Sequence, residues 1–302
     1  MKRAVWLACA CALTSVGCGF IVLADPEPVE QKVAQPYRMG ARLAALWIGH
    51  ASVLIQIEDK LILTDPVFTD TVAQISRRLV EPGLDVEALP PVDAVLISHV
   101  HFDHLSQGSL ERIEDRVGVL LAPAQAVNYI PRAAFPVREV RGWQSWEDGD
   151  GLRITAVPVK HPGWRYALDA PWMTQASTAY VIEYRGVTVY FGGDTAYHPT
   201  HFKHTGERFP GIDLAFLPIG PIEPRDFMKR VHTDPKEAFQ IFEDLGAARM
   251  LPIHFETFIN SADTREGPRQ ALEAAAAAAG LGPDRLGMWR IGEQRVFEGA
   301  RP

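Results

Sequence analysis

His99-Val100-His101-Phe102-Asp103-His104 gathers three imidazoles and a carboxylate within six residues. The run before it, Asp93-Ala94-Val95-Leu96-Ile97-Ser98, is short, apolar and β-branched, the pattern of a buried strand. The polar cluster therefore stands on the turn that leaves a strand at its C-terminal end. Crowding so many such groups costs free energy unless a cation compensates them. Imidazole with carboxylate suits zinc, iron or manganese. A histidine-rich surface loop is the bland alternative, but histidine is infrequent and the strand context is that of a site.

Three later positions repeat the order of apolar strand, then ligand. His161 follows the run 154–160, Asp194 follows Val189-Tyr190-Phe191-Gly192-Gly193, and His254 follows Leu251-Pro252-Ile253. The two glycines before Asp194 allow close backbone approach to a site. Each position alone reads as an ordinary structural residue. Their repetition of one pattern is the signal.

Around these positions the chain reads as a strand series with helices interleaved. Runs 43–48, 53–57, 61–64, 94–98, 153–159, 178–183, 187–191, 214–218 and 250–253 have strand character. A short helix is expected over 109–116. Another is opened by the Asp234 cap with Pro235 and Glu237 behind it and closed by Gly246, and a third spans 270–279 before Gly280. No repeat or composition break divides the chain. One domain over residues 40–302, with two sheets covered by helices, is the expected architecture. Residues 25–39, with Pro26, Pro28 and Pro36, read as a linker or extended arm.

Met1-Lys2-Arg3 precedes an uncharged stretch from Ala4 to Ala24. Residues 1–24 thus read as a signal peptide or a membrane anchor. Val22-Leu23-Ala24 offers a cleavage site, and Cys18 after Val16-Gly17 offers a lipoprotein attachment instead. Each exit places the catalytic part outside the cytoplasm, periplasmic or anchored facing the periplasm. All three cysteines (Cys9, Cys11, Cys18) fall in this segment, so the domain has no thiolate for metal binding or attack. A net charge of −7 argues against a nucleic-acid partner, which needs a surplus of Lys and Arg. The chain has no Gly-x-Ser-x-Gly elbow, which counts against a serine hydrolase.

In order, His-x-His-x-Asp-His, His161, Gly192-Gly193-Asp194 and Ile253-His254 resemble the metallo-β-lactamase superfamily, from Leu43 to about Gly292. The resemblance implies an αββα sandwich, two mixed β-sheets flanked by helices, with a site for two divalent metal ions along the edge between the sheets. It implies that His99, His101 and His161 hold one ion, that Asp103, His104 and His254 hold the other, and that Asp194 bridges both. Zinc is the expected metal, with iron or manganese also compatible.

Further strings narrow the match. Trp47-Ile48-Gly49-His50-Ala51-Ser52-Val53-Leu54, Thr64-Asp65-Pro66-Val67-Phe68, Phe191-Gly192-Gly193-Asp194-Thr195 and Glu223-Pro224-Arg225-Asp226-Phe227-Met228 are similar to the branch that hydrolyses N-acyl-phosphatidylethanolamine in the manner of a phospholipase D. That likeness implies a phospholipid or other phosphodiester substrate and association with a membrane surface. Asp103 and Asp194 would then orient the attacking group, and His232 would contact the phosphate or protonate the leaving group with help from Arg225. Segment 162–174 is long for a connection and sits beside a ligand, so it reads as a loop over the site. Its Trp164 and Trp172 are expected to contact lipid. A hydrolase of lactams, lactones or other esters is the competing enzyme, and the absence of a metal-binding cysteine counts against a β-lactamase. A metal-binding envelope protein on a retired hydrolase fold would have lost a ligand position, and none is lost.

Overall fold

The computed structural model describes residues 24–30, 32–73 and 76–297. The expectations on the signal peptide or anchor and on the three cysteines lie outside these residues, apart from Ala24. Among the described residues, no helix is long and apolar enough to cross a membrane.

The first half of the chain forms β1 (Leu43–Gly49), β2 (Ser52–Ile57), β3 (Lys60–Thr64), β4 (Thr71–Val72), β5 (Ser76–Arg77), β6 (Val92–Leu96), α1 (Gln107–Arg112), β7 (Val117–Pro123) and β8 (Val137–Val140). The second half forms β9 (Ser145–Glu147), β10 (Arg153–Val157), β11 (Ala179–Tyr184), β12 (Val187–Phe191), α2 (His201–Arg208), β13 (Leu214–Pro218), α3 (Arg225–Met228), α4 (Pro235–Leu245), β14 (Arg249–Ile253), α5 (Gly267–Ala279) and β15 (Gln294–Phe297). One sheet runs β15-β1-β2-β3-β6-β7-β8 and the other β14-β13-β12-β11-β10-β9, with β4 and β5 as a separate ribbon. Both large sheets are mixed. In the first, β1, β2 and β3 are antiparallel neighbours while β3, β6, β7 and β8 pair in parallel. In the second, β12, β13 and β14 are the parallel part.

Side-chain alternation explains the layering. In β1, Ala45 and Trp47 enter the core shared with the second sheet, while Leu46 and Ile48 join a separate cluster on the opposite face. That outer cluster is closed by Leu110 and Ile113, at and just after α1. A strand buried on both faces reads as a continuous apolar run, as β1 does. On the other side of the molecule, Ala238, Ile241, Phe242 and Leu245 of α4 are buried in the core cluster that holds β13. The Asp234 side chain accepts from the Glu237 amide at 2.9 Å, and Gly246 ends α4 at φ 61°, as the sequence anticipated. The expected αββα sandwich is thus present.

The helix expected at 109–116 is shifted: α1 starts after Ser106, whose hydroxyl accepts from the Ser109 amide, and ends at Arg112. The arm after residue 25 lies against the domain. Glu27 exchanges backbone hydrogen bonds with Leu79 and Glu81, and Lys32 pairs with Glu81 and Asp85 at 2.9 and 2.8 Å.

Candidate metal centre

Strand direction delivers the site. β6, β10, β12 and β14 are followed, at their C-terminal ends, by His99, His161, Asp194 and His254. Crevices beyond the carboxyl ends of strands are the usual place for ligands in α/β sheets. Two such ends come into contact at Gly193, whose φ is 54° and where an added Cβ would meet the Ser98 Cβ at 2.4 Å. Only glycine lets Asp194 approach His99 so closely.

All seven expected ligands are brought together. His99 Nε2 lies 2.8 Å from His101 Nδ1, which lies 3.2 Å from His161 Nε2. Asp194 Oδ2 is 3.0 Å from His254 Nε2, 3.3 Å from His104 Nε2, 3.7 Å from His161 Nε2 and 3.9 Å from His99 Nε2. It therefore touches both halves of the cluster. Asp103 Oδ2 stands 3.8 Å from His254 Nε2 and 3.9 Å from His104 Nε2.

These spacings suit cations. Two ligands about 2.05 Å from a tetrahedral ion stand about 3.3 Å apart, and the separations above bracket that distance. The hydrogen bonding agrees. His104 Nε2, His254 Nε2 and Asp194 Oδ1 are buried with no hydrogen-bond partner. Orphaned buried polar atoms in such numbers need an explanation, and a pair of shared cations supplies one. The His and Asp groups fall into overlapping sets that fit a two-metal centre.

Two members were not singled out as site residues from the sequence. His50, in the turn between β1 and β2, places Nε2 2.9 Å from Asp103 Oδ2 and its ring 3.9 Å from that of His254. Asp65, after β3, accepts from His104 Nδ1 at 2.7 Å and from the Ser98 amide and hydroxyl at 2.7 and 2.6 Å. Both also follow strands, the same signal that marked His161 and His254. His50, Asp65 and His254 all have positive φ (54°, 33° and 65°), a conformation non-glycine residues hold only when surroundings enforce it. His161 is oriented by backbone: its Nδ1 donates to the Val231 carbonyl at 2.7 Å, leaving Nε2 for the cluster.

Burial sets the protonation states. It holds the His99, His101 and His161 imidazoles below their ordinary range, and pushes His50 down to about 3. His104 is raised despite burial, because Asp194 and Asp103 surround it. Both of those carboxyls are held well below the usual range despite burial by their imidazole neighbours. Neutral imidazole and ionised carboxylate are the states that bind metal.

An acid titration tests this arrangement in the metal-free protein. Below the ordinary imidazole value of 6.5, the unfolded chain takes up protons that buried His50, His99, His101 and His161 refuse. The unfolded state then binds more protons, so stability falls as pH drops through that range. His104 has the opposite sign, and its contribution is lost as pH rises through its elevated folded value. The urea midpoint is expected to decrease from pH 7.5 to pH 5. A constant or rising midpoint would contradict the assignment.

His232 reaches the cluster from the loop after α3, with Nδ1 3.6 Å from Asp194 Oδ2. Burial pushes it down to about 4. A neutral ring therefore faces the cluster. The Arg225 guanidinium pairs with Glu237 and Asp234 and donates to the His232 carbonyl at 3.3 Å. Arg225 is thus engaged in holding His232's loop. Trp164 stands edge-on to His101 at 4.9 Å and is partly buried against the outer core cluster, whereas Trp172 is 59% exposed. The two tryptophans, expected to act alike, occupy different places. Asp103 and His232, at 21% and 13% side-chain exposure against 2% or less for His50, His99, His104, His161, His254 and Asp194, mark where the centre opens to solvent.

The beta-lactamase superfamily domain model matches residues 60–255, a span that includes every strand end of the centre except that of β1, where His50 stands. The chain belongs to the metallo-β-lactamase superfamily. It is a metal-dependent hydrolase of that superfamily. N-acyl-phosphatidylethanolamine-hydrolyzing phospholipase D 1 of Caenorhabditis elegans is 31% identical over 252 residues, covering 78% of this chain and 70% of the nematode protein. The mitochondrial N-acyl-phosphatidylethanolamine-hydrolyzing phospholipase D of Saccharomyces cerevisiae is 29% identical, covering 83% of this chain but only 55% of the yeast protein. A metal-dependent hydrolase of Exiguobacterium is 31% identical, covering 70% of this chain and 85% of its own. Among solved structures, a metallo hydrolase of Ignicoccus hospitalis shares the superfamily fold, with a TM-score of 0.64 at 21% identity, covering 85% of this chain and 99% of that one.

Proposed function

We propose that this hydrolase is a phospholipase D-type phosphodiesterase acting on N-acyl-phosphatidylethanolamine or a related lipid, at the outer face of a membrane. The observation that carries the reading is the similarity to the nematode enzyme, named for that reaction, over 78% of the chain. In the reaction, water oxygen joins phosphorus and the bond from phosphorus to the ethanolamine oxygen breaks, leaving phosphatidic acid and an N-acylethanolamine. Bound divalent ions, zinc foremost, supply the charge that polarises a phosphoryl oxygen and makes water nucleophilic at neutral pH. His99, His101 and His161 would hold one ion, and Asp103, His104 and His254 the other, with Asp194 between them. Asp103 and neutral His232, at the open side, face the approaching phosphate.

The rim supports a lipid substrate. Tyr166, Leu168 and Trp172 on the loop after His161 and Phe227 on α3 are all exposed, Leu168 by 84%. Exposed large apolar side chains on segments that adjoin site residues in the chain suit an interface. Full-length metal-replete protein should release N-acylethanolamine from N-acyl-phosphatidylethanolamine vesicles and cleave a chromogenic phosphodiester, but leave a cephalosporin intact. Trp172→Ala with Leu168→Ser should lower vesicle turnover by about fivefold, on the scale of 1 kcal/mol for an aromatic contact, while the soluble diester is cleaved normally. Cephalosporin or ester hydrolysis without lipid hydrolysis would overturn the proposal. Fractionation that finds unprocessed protein soluble in the cytoplasm would overturn the location.

A further inference from the structure

Arg165 has no evident part in the chemistry, yet the fold buries it to 6% exposure. No ion pair to a carboxylate is found for its guanidinium among the described residues. Instead Nη1 donates to the carbonyl of Val100 at 2.6 Å and to that of Leu105 at 3.0 Å. The guanidinium also lies over the Phe102 ring, 4.0 Å from its centroid. Val100 and Leu105 bracket His101-Phe102-Asp103-His104, so a single nitrogen closes both ends of the ligand loop. Burying a cation with no carboxylate in direct contact is costly, and burial does lower its proton affinity. A charge kept at that cost needs a return elsewhere.

The backbone carrying Arg165 is itself fixed. The Asp169 carboxylate accepts from the amides of Arg165 and Tyr166, each at 3.0 Å, and from the Tyr129 hydroxyl. The adjoining Trp164 packs on His101. The loop after one ligand, His161, is thereby bolted to the loop holding four others.

We propose that Arg165 is a positioning residue that sets the geometry of the His99–His104 ligand loop through its two carbonyl bonds. The proposal rests on the centre being a metal site, and is independent of which ester is hydrolysed. Partners that orient metal ligands typically change metal affinity by about 10–100-fold when removed.

Arg165→Met keeps an unbranched stem but deletes both bonds and the cation over Phe102, whereas Arg165→Lys keeps a charged donor. Zinc affinity of the full chain would be measured by chelator competition, and the cobalt(II) form by visible absorption. R165M should bind zinc about tenfold more weakly and show an altered cobalt spectrum, with R165K recovering most of both. Wild-type affinity and spectrum in R165M, with only a lower melting temperature, would overturn the proposal. So would an R165K as damaged as R165M, since the effect would then follow side-chain shape. Should R165M not fold, R165Q, neutral with a donor amide, carries the same comparison against R165K. Failure of the underlying reading looks different: the wild-type protein itself would bind neither metal.

Discussion

Asp194→Asn is expected to cut hydrolysis by more than about a hundredfold, beyond the range for residues that only orient a ligand, and to reduce the metal content below two per chain. The substitution changes almost no volume. What it removes is charge at the one oxygen within 3.9 Å of His99, His104, His161 and His254. Asp194 is buried, and burial alone would favour its neutral form. The imidazoles of His254 and His104 outweigh that, so the native group is an anion. An amide in its place presents one weaker acceptor and leaves the cluster with excess positive charge when metal enters. The fold should survive, because the sandwich core lies apart from this oxygen. Elemental analysis, activity and circular dichroism together check the prediction. Two metal equivalents and wild-type turnover in the variant would remove Asp194 from its bridging place. His99→Ala should likewise touch two groups, the one with His101 and His161 and the one with His104 and Asp194.

Much of this centre was legible because its residues carry a double signal, ligand chemistry and a preceding apolar strand. His99, His101, Asp103 and His104 form a local cluster, and His161, Asp194 and His254 repeat the strand-end pattern. His50 and Asp65 follow strands too, but each stands alone in sequence, and nothing local says that β1, β3 and β6 converge. That convergence comes from sheet order, with β3 beside β6 and His50 meeting His254 across the two sheets. Arg225 is a different case: the likeness implies that it helps at the phosphate, and the fold shows it engaged by Asp234 and Glu237 at the start of the following helix. Strand β7 is an apolar run directly after the helix expected at 109–116, yet it is absent from the strands expected, and α1 itself is set by the Ser106 cap. Strand β15 is half-buried, short and interrupted by charge, so its pairing with β1 is a property of the tertiary fold.

Asp65→Asn should weaken metal binding by about 10–100-fold while leaving saturated protein substantially active. Asp65 is fully buried, and its three acceptor contacts all serve the ligand loop: the Ser98 amide, the Ser98 hydroxyl and His104 Nδ1. The contact to His104 fixes the ring: Asp65 holds Nδ1–H, so Nε2, 3.3 Å from Asp194 Oδ2, is the nitrogen that loses its proton when an ion enters. A carboxylate behind a ligating imidazole also raises its basicity. Burial pushes the Asp65 carboxyl up, and His104 and Ser98 draw it back down, so the pair is held together electrostatically as well as sterically. The amide keeps the shape and one acceptor oxygen but turns the other contact into a donor. Either Ser98 or His104 then loses its acceptor, and the cost falls on the ligand loop. Chelator competition on wild type and D65N measures the shift, and turnover at saturating metal separates affinity from chemistry. Equal affinities would show that Asp65 only braces Ser98 and leaves His104 to be oriented by the carboxylates in front of it.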